Sequence, residues 1–174
     1  MLQASTKGQS NADSNSYAMS DPDPTRIVAD ADVLAADLLV GGRSREALDV
    51  LRSHSWLTLV ATNRLLSEAQ SIIAQCSDED VALAWRTKIE DLAYLVEQPS
   101  EDHPALAAAH HGNAAQILSF DEGLLSAKTG ATLRPHLTTS IRSPDAFLSI
   151  FDPERLYPIV QNGTYPGPDR DPRV

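Results

Sequence analysis

The chain has 174 residues, enough for one well-buried domain and short for two. Its formal net charge of −10 argues against a basic nucleic-acid-binding module, so any RNA contact must be local or metal-mediated. No run is apolar for long enough to cross a bilayer, and the single cysteine, Cys76, excludes an intramolecular disulfide framework and fits a reducing cytoplasm.

Lysine is confined to Lys7, Lys88 and Lys128, and aspartate outnumbers glutamate, the pattern of a halophilic chain kept soluble in concentrated salt. Residues 1–24 read as a disordered polar arm, with Met19 as a second candidate start. A domain over 25–157 follows. It opens on "RIVA" (26–29), a short apolar strand, then "VLAADLLV" (33–40), a helix stopped by Gly41-Gly42. "SREALDVLRSH" predicts a second helix. "WLTLVA" (56–61) is a second strand, and Thr62 is a fair cap for the helix "NRLLSEAQSIIAQC". "SDEDVALAWRTKIEDLA" predicts a helix with a cap serine and acids in its first turn. "YLVEQ" is a third strand, "SEDHPALAAAHHG" opens a helix with Pro104 in its first turn and Gly112 as its stop, and "AQILSF" is a fourth strand. "DEGLLSA" predicts a short helix, "HLTTSI" a fifth strand and "SPDAFLSIF" a last helix. Residues 158–174 read as an extended Pro/Gly-rich tail.

Strands alternating with helices predict an α/β fold, a three-layer α/β/α sandwich around a mostly parallel sheet. Ligands of such sheets bind beyond the carboxyl ends of the strands. Asp30 and Asp121 fall at such ends, Asp102 opens the helix after "YLVEQ", and Glu68 lies inside the helix after "WLTLVA". Four converging carboxylates would repel one another, and a divalent cation with a preference for hard oxygen ligands removes that penalty. Three acids also have a plainer reading: Asp102 and Asp121 as helix caps, Asp32 as a solvated first-turn acid. Arg64, four residues before Glu68, is either a phosphate contact or an intrahelical ion pair. Arg43 and Arg45 read as a solvated turn and Cys76 as a buried small residue.

"IVADADVLAADLL", "LVATNRLLSEAQSII" and "DHPALAAAHHGNAAQILSFDEGLL", in this order and spacing, resemble the PIN-domain family of metal-dependent ribonucleases, and "SPDAFLSIF" is similar to the helix that closes many members. The resemblance covers roughly residues 26–151. It implies a Rossmann-like sandwich with Mg²⁺ or Mn²⁺ held by Asp30, Glu68, Asp102 and Asp121, with Ser119 positioning a water or ligand. Asp32 stands where asparagine is more usual and adds a fifth acid. The resemblance also implies an RNA substrate, commonly a homodimer, and for the VapBC-type toxins an antitoxin partner. A non-catalytic PIN-fold scaffold and a DNA-directed nuclease are the alternatives.

Overall fold

Ile27, Val28 and Ala29 are completely buried at the end of β1 (Asp23–Ala29), a near-continuous apolar run of the kind a parallel strand covered on both faces requires. The protein was analysed as a computed structural model describing residues 20–99, 103–126 and 138–173. β1 starts earlier than predicted. The Asp23 backbone N–H donates to the Asn113 carbonyl at 2.8 Å, and the register against the neighbouring strand shifts between Asp23 and Ile27, an irregularity that hydrophobic alternation does not record.

α1 (Ala31–Leu39) follows directly, and α2 (Gly42–Ser53) begins without a loop, because Gly41 (φ 79°) and Gly42 (φ 56°) take the left-handed backbone that ends one helix and opens the next. β2 (Thr58–Thr62) leads into α3 (Asn63–Cys76), where the Thr62 hydroxyl accepts from the Leu65 N–H at 3.1 Å, as expected of the cap. Cys76 is exposed at the end of α3, not buried: it sits one residue before the helix stop, beyond the last apolar contact. α4 (Glu79–Leu92) is capped by Asp78, which accepts from Val81 N–H at 2.8 Å; the serine expected there, Ser77, instead closes α3 through its own N–H. β3 (Ala93–Val96), α5 (Pro104–His111), β4 (Ala114–Leu118), α6 (Glu122–Leu125), β5 (Ser140–Arg142), α7 (Pro144–Ile150) and α8 (Pro153–Gln161) complete the order. α8 carries Pro158 inside it and runs past the boundary expected at 158.

Among the described residues the sheet has five parallel strands in the order β3-β2-β1-β4-β5, and the fold is a three-layer α/β sandwich. By the right-handed rule for parallel crossovers, this order assigns the helices of the β1-to-β3 run to one face and α5, which returns the chain to β4, to the other. α1 packs on α3, and α5 packs across β1, β2 and β4. No helix among the described residues is long and apolar enough to cross a membrane.

α5 lies close to the sheet because Ala105, Ala107, Ala108 and Ala109 present almost no side chain. Gly112 completes that contact: a Cβ there would stand 2.3 Å from Val60 Cγ1 and 2.8 Å from the Ala108 carbonyl oxygen, and the backbone atom has little freedom to move. Gly112→Ala is therefore expected to cost about 1–3 kcal/mol through overpacking, read as a lower urea midpoint with an unchanged slope.

The C-terminal segment lies against the body. Ser55 donates from its N–H (2.7 Å) and its hydroxyl to Asp169, Asp169 and Arg170 N–H groups donate to the Ser53 carbonyl, and the Tyr165 hydroxyl meets buried His54 Nε2 at 2.6 Å. The Ser55 hydroxyl, with its N–H, holds the Asp169 carboxyl below its ordinary value of 3.8. A lowered acid stabilises the fold above 3.8 and loses that contribution as pH falls through the lower folded value. The stability gap between wild type and Asp169→Asn is accordingly expected to be fully open at about pH 6 and to close in stronger acid, measured by urea unfolding across the range.

Candidate functional site

The strand order locates a crevice. From β1 the chain proceeds through β2 to β3 on one side, then returns to β4 and β5 on the other, so the carboxyl ends of β1 and β4 flank a topological switch point, where open α/β sheets bind ligands. Asp30 is the first residue after β1, and Ser119, Phe120 and Asp121 are the first after β4.

A continuous set of hydrogen bonds joins the two ends. Asp30, 7% exposed, caps α1 by accepting from Ala31 N–H at 2.8 Å, while its own N–H donates to the Leu118 carbonyl at 2.8 Å. Its second oxygen accepts from the fully buried Ser119 hydroxyl at 2.9 Å, and Ser119 Oγ accepts from the Asp121 N–H at 3.0 Å. Ser119 thus fixes the Asp30 carboxylate relative to the Asp121 backbone. Asp121 caps α6, accepting from Gly123 (2.7 Å) and Leu124 (3.3 Å) through one oxygen, and among the described residues its other oxygen makes no hydrogen bond.

Asp32, half-buried, bridges the two loops: one oxygen accepts from Val33 N–H at 2.7 Å and the other from Phe120 N–H at 3.1 Å. Burial and the neighbouring Asp30 charge push its carboxyl above the usual range, the two N–H groups pull it back, and Asp121 adds to the rise. Asp30 and Asp121 therefore both act on Asp32 at the switch point. They are hard oxygen donors of the class that Mg²⁺ or Mn²⁺ takes, and the pressure on Asp32 is what a divalent cation relieves, so the donor set fits such an ion. Among the described residues no three His, Cys, Asp or Glu side chains are gathered tightly enough to hold an ion as they stand.

The remaining expected residues are placed differently. Glu68 is exposed on α3, and its partner is Arg64 at 3.3 Å, the intrahelical pair; no contact joins it to the three aspartates. Asp102 lies outside the described residues, and α5 is capped by His103, whose Nδ1 faces the Ala105 N–H at 3.3 Å.

A second charged cluster went unseen in the sequence. Asp37, 3% exposed in α1, accepts a two-pronged bond from Arg52 (Nη1 at 3.0 Å, and Nη2) and lies 3.4 Å from Arg45 Nε. Arg45 is no solvated turn residue: its guanidinium also caps α1 at the Asp37 and Leu38 carbonyls, while Arg43 pairs with Glu46 and Asp145. The available signal was an acid inside "VLAADLLV", one residue from two leucines, with an arginine on the next helix.

No curated protein and no solved structure matches the chain. A family model does, over residues 21–173, and the chain belongs to that family, DUF7384, described as a family of unknown function.

Proposed function

We propose that the protein is a cytoplasmic, metal-dependent endoribonuclease of PIN type. The observation that carries this reading is the convergence of Asp30, Ser119 and Asp121 on the switch point between β1 and β4, with Asp32 bridging them. Asp30, Asp32 and Asp121 would hold a Mg²⁺ or Mn²⁺ ion, with Glu68 and Asp102 as the further acids that the family resemblance supplies. When bound, the cation supplies positive charge for the scissile phosphate and acidity for the attacking water, which an otherwise strongly acidic chain lacks.

The chain's own groups have distinct tasks. Asp30 is held in one orientation by two donors, one on each oxygen, which would present it to a cation without reorganisation. Ser119, with its proton committed to Asp30, sets the separation between the two strand ends. The unbonded Asp121 oxygen is the most available acceptor for a water or cation. Arg64, in the first turn of α3, pairs with Glu68 through Nε at 3.3 Å and would be the candidate phosphate contact. The same family reading brings an antitoxin partner and a homodimer with it as parts of this proposal. One observation favours the non-catalytic scaffold instead: Glu68 is exposed and engaged in an ion pair with Arg64, with no hydrogen bond to the aspartates.

Incubating a mixed RNA pool with purified protein and Mn²⁺ or Mg²⁺ in high-salt buffer is expected to give cleavage that EDTA abolishes. Intact RNA with no Mn²⁺-induced rise in melting temperature would shift the assignment to the scaffold, whereas intact RNA with such a rise would point to a missing substrate or partner.

A further inference from the structure

Lys88, Arg170 and Arg173 share a property. Every other lysine and arginine among the described residues bonds a side chain or a carbonyl through its charged head, whereas these three make no side-chain hydrogen bond or ion pair to any described residue. All three line one cleft of about 990 Å³, bounded by the end of α1, α2, α4 and the C-terminal segment. Arg45 and Arg52 also line it, so five cations face three acids there, on a chain whose net charge is −10. Of those acids, Asp37 and Asp49 are neutralised by Arg52 and Arg45, and Asp171 accepts from the Arg173 N–H at 2.9 Å.

The wall between these charges is apolar, formed by Leu38, Val81, Ala84, Trp85, Ile89 and Leu92. The Trp85 indole N–H, in the same wall, has no acceptor among the described residues. The cleft is separate from the aspartates: it meets α1 at Asp37 and Leu38, about 10 Å along the helix from Asp30 at 1.5 Å per residue.

We propose that this cleft is a nucleotide site, in which Lys88, Arg170 and Arg173 take the charges of a polyphosphate and the apolar wall takes the base. Several cations on two different segments, none with a side-chain hydrogen bond or ion pair among the described residues although Arg170 also acts at longer range on Asp169, match an anion whose charge is spread over several groups better than a single carboxylate. The mixed lining of charged and apolar side chains is the usual make-up of a small-ligand pocket with a few orienting charges. Long-range attraction does not bring an anion to this chain, so recognition rests on these local cations and weakens with salt. Two of the three belong to the C-terminal segment, so the site exists only while Asp169 and Tyr165 hold that segment in place.

The test is calorimetric titration of the full chain with ATP in EDTA, which keeps metal out of the aspartate site. Inorganic triphosphate is the second probe. Wild type is expected to bind ATP, Lys88→Ala and Arg173→Ala to weaken it about tenfold each, equivalent to about 1.4 kcal/mol, and Asp121→Asn to leave it unchanged. Triphosphate is expected to bind more weakly than ATP. Both alanine variants alter exposed residues, so a matched melting temperature separates lost binding from lost folding. The inference is overturned by absence of ATP binding to folded wild type, by unchanged binding in both alanine variants, or by triphosphate binding as tightly as ATP. None of these outcomes depends on whether RNA is cleaved.

Discussion

Arg52→Ala is expected to lower the unfolding free energy by about 3 kcal/mol, the low end of what breaking a buried ion pair costs. Asp37 is 3% exposed, and Arg52 meets both of its oxygens. Burial works against the Arg52 charge, and its hydrogen bonds and attraction to Asp37, then to Asp49, more than restore it, so its pKa is raised. Removing the guanidinium leaves a carboxylate with little access to water. The loss stays at the low end because Arg45 remains 3.4 Å away, though that side chain is half exposed and screened. Arg52→Lys keeps the charge but not the planar fork, so a smaller loss of about 1–2 kcal/mol is expected. Replacing both partners, Asp37→Leu with Arg52→Met, should recover most of the stability, since an apolar pair carries no desolvation penalty. Urea unfolding of the four proteins checks the order. Equal stability of Arg52→Ala and wild type would mean that Asp37 is solvated in solution.

Asp30→Asn separates folding from chemistry. Asparagine caps a helix about as well as aspartate, so α1 should hold and stability should change by no more than about 1 kcal/mol. Asparagine's oxygen can still accept from Ala31 N–H, and its amide can donate to Ser119 Oγ once that hydroxyl turns. What disappears is the negative charge at the end of β1. If that charge holds a divalent cation, RNA cleavage in Mg²⁺ should fall by about a hundredfold or more. A variant with wild-type melting and wild-type cleavage would return Asp30 to capping alone.

Much of the framework was legible in the sequence because its signals are local. Apolar runs at Ile27–Ala29 and Leu59–Ala61 mark buried strands, Pro104 and Gly112 bracket α5, and Thr62 announces α3. The alternation of strand and helix gives the parallel sheet, whose order then puts residues 30 and 119–121 side by side. Asp30, Ser119 and Asp121 were legible because each lies just past a strand's end, and Asp32 because it lies in the first turn of the helix that follows, positions set by the chain's local path. Glu68 differs, because its position depends on how α3 rotates against α1, and Arg64 one turn away on the same helix offers it a partner within the helix itself. Ser77 and Asp78 both suit a cap, and only the following backbone decides between them. The Asp37–Arg52 pair and the cleft beside it were hidden for another reason: they join α1, α2, α4 and residues 170–173, which no sequence spacing relates.

The most direct test of the central claim is cleavage of a mixed RNA pool by wild type and Asp121→Asn side by side, in Mn²⁺, in Mg²⁺ and in EDTA, at matched melting temperature. The account predicts metal-dependent cleavage by wild type that EDTA removes and the variant loses. Cleavage that survives in Asp121→Asn, or that persists in EDTA, would contradict it.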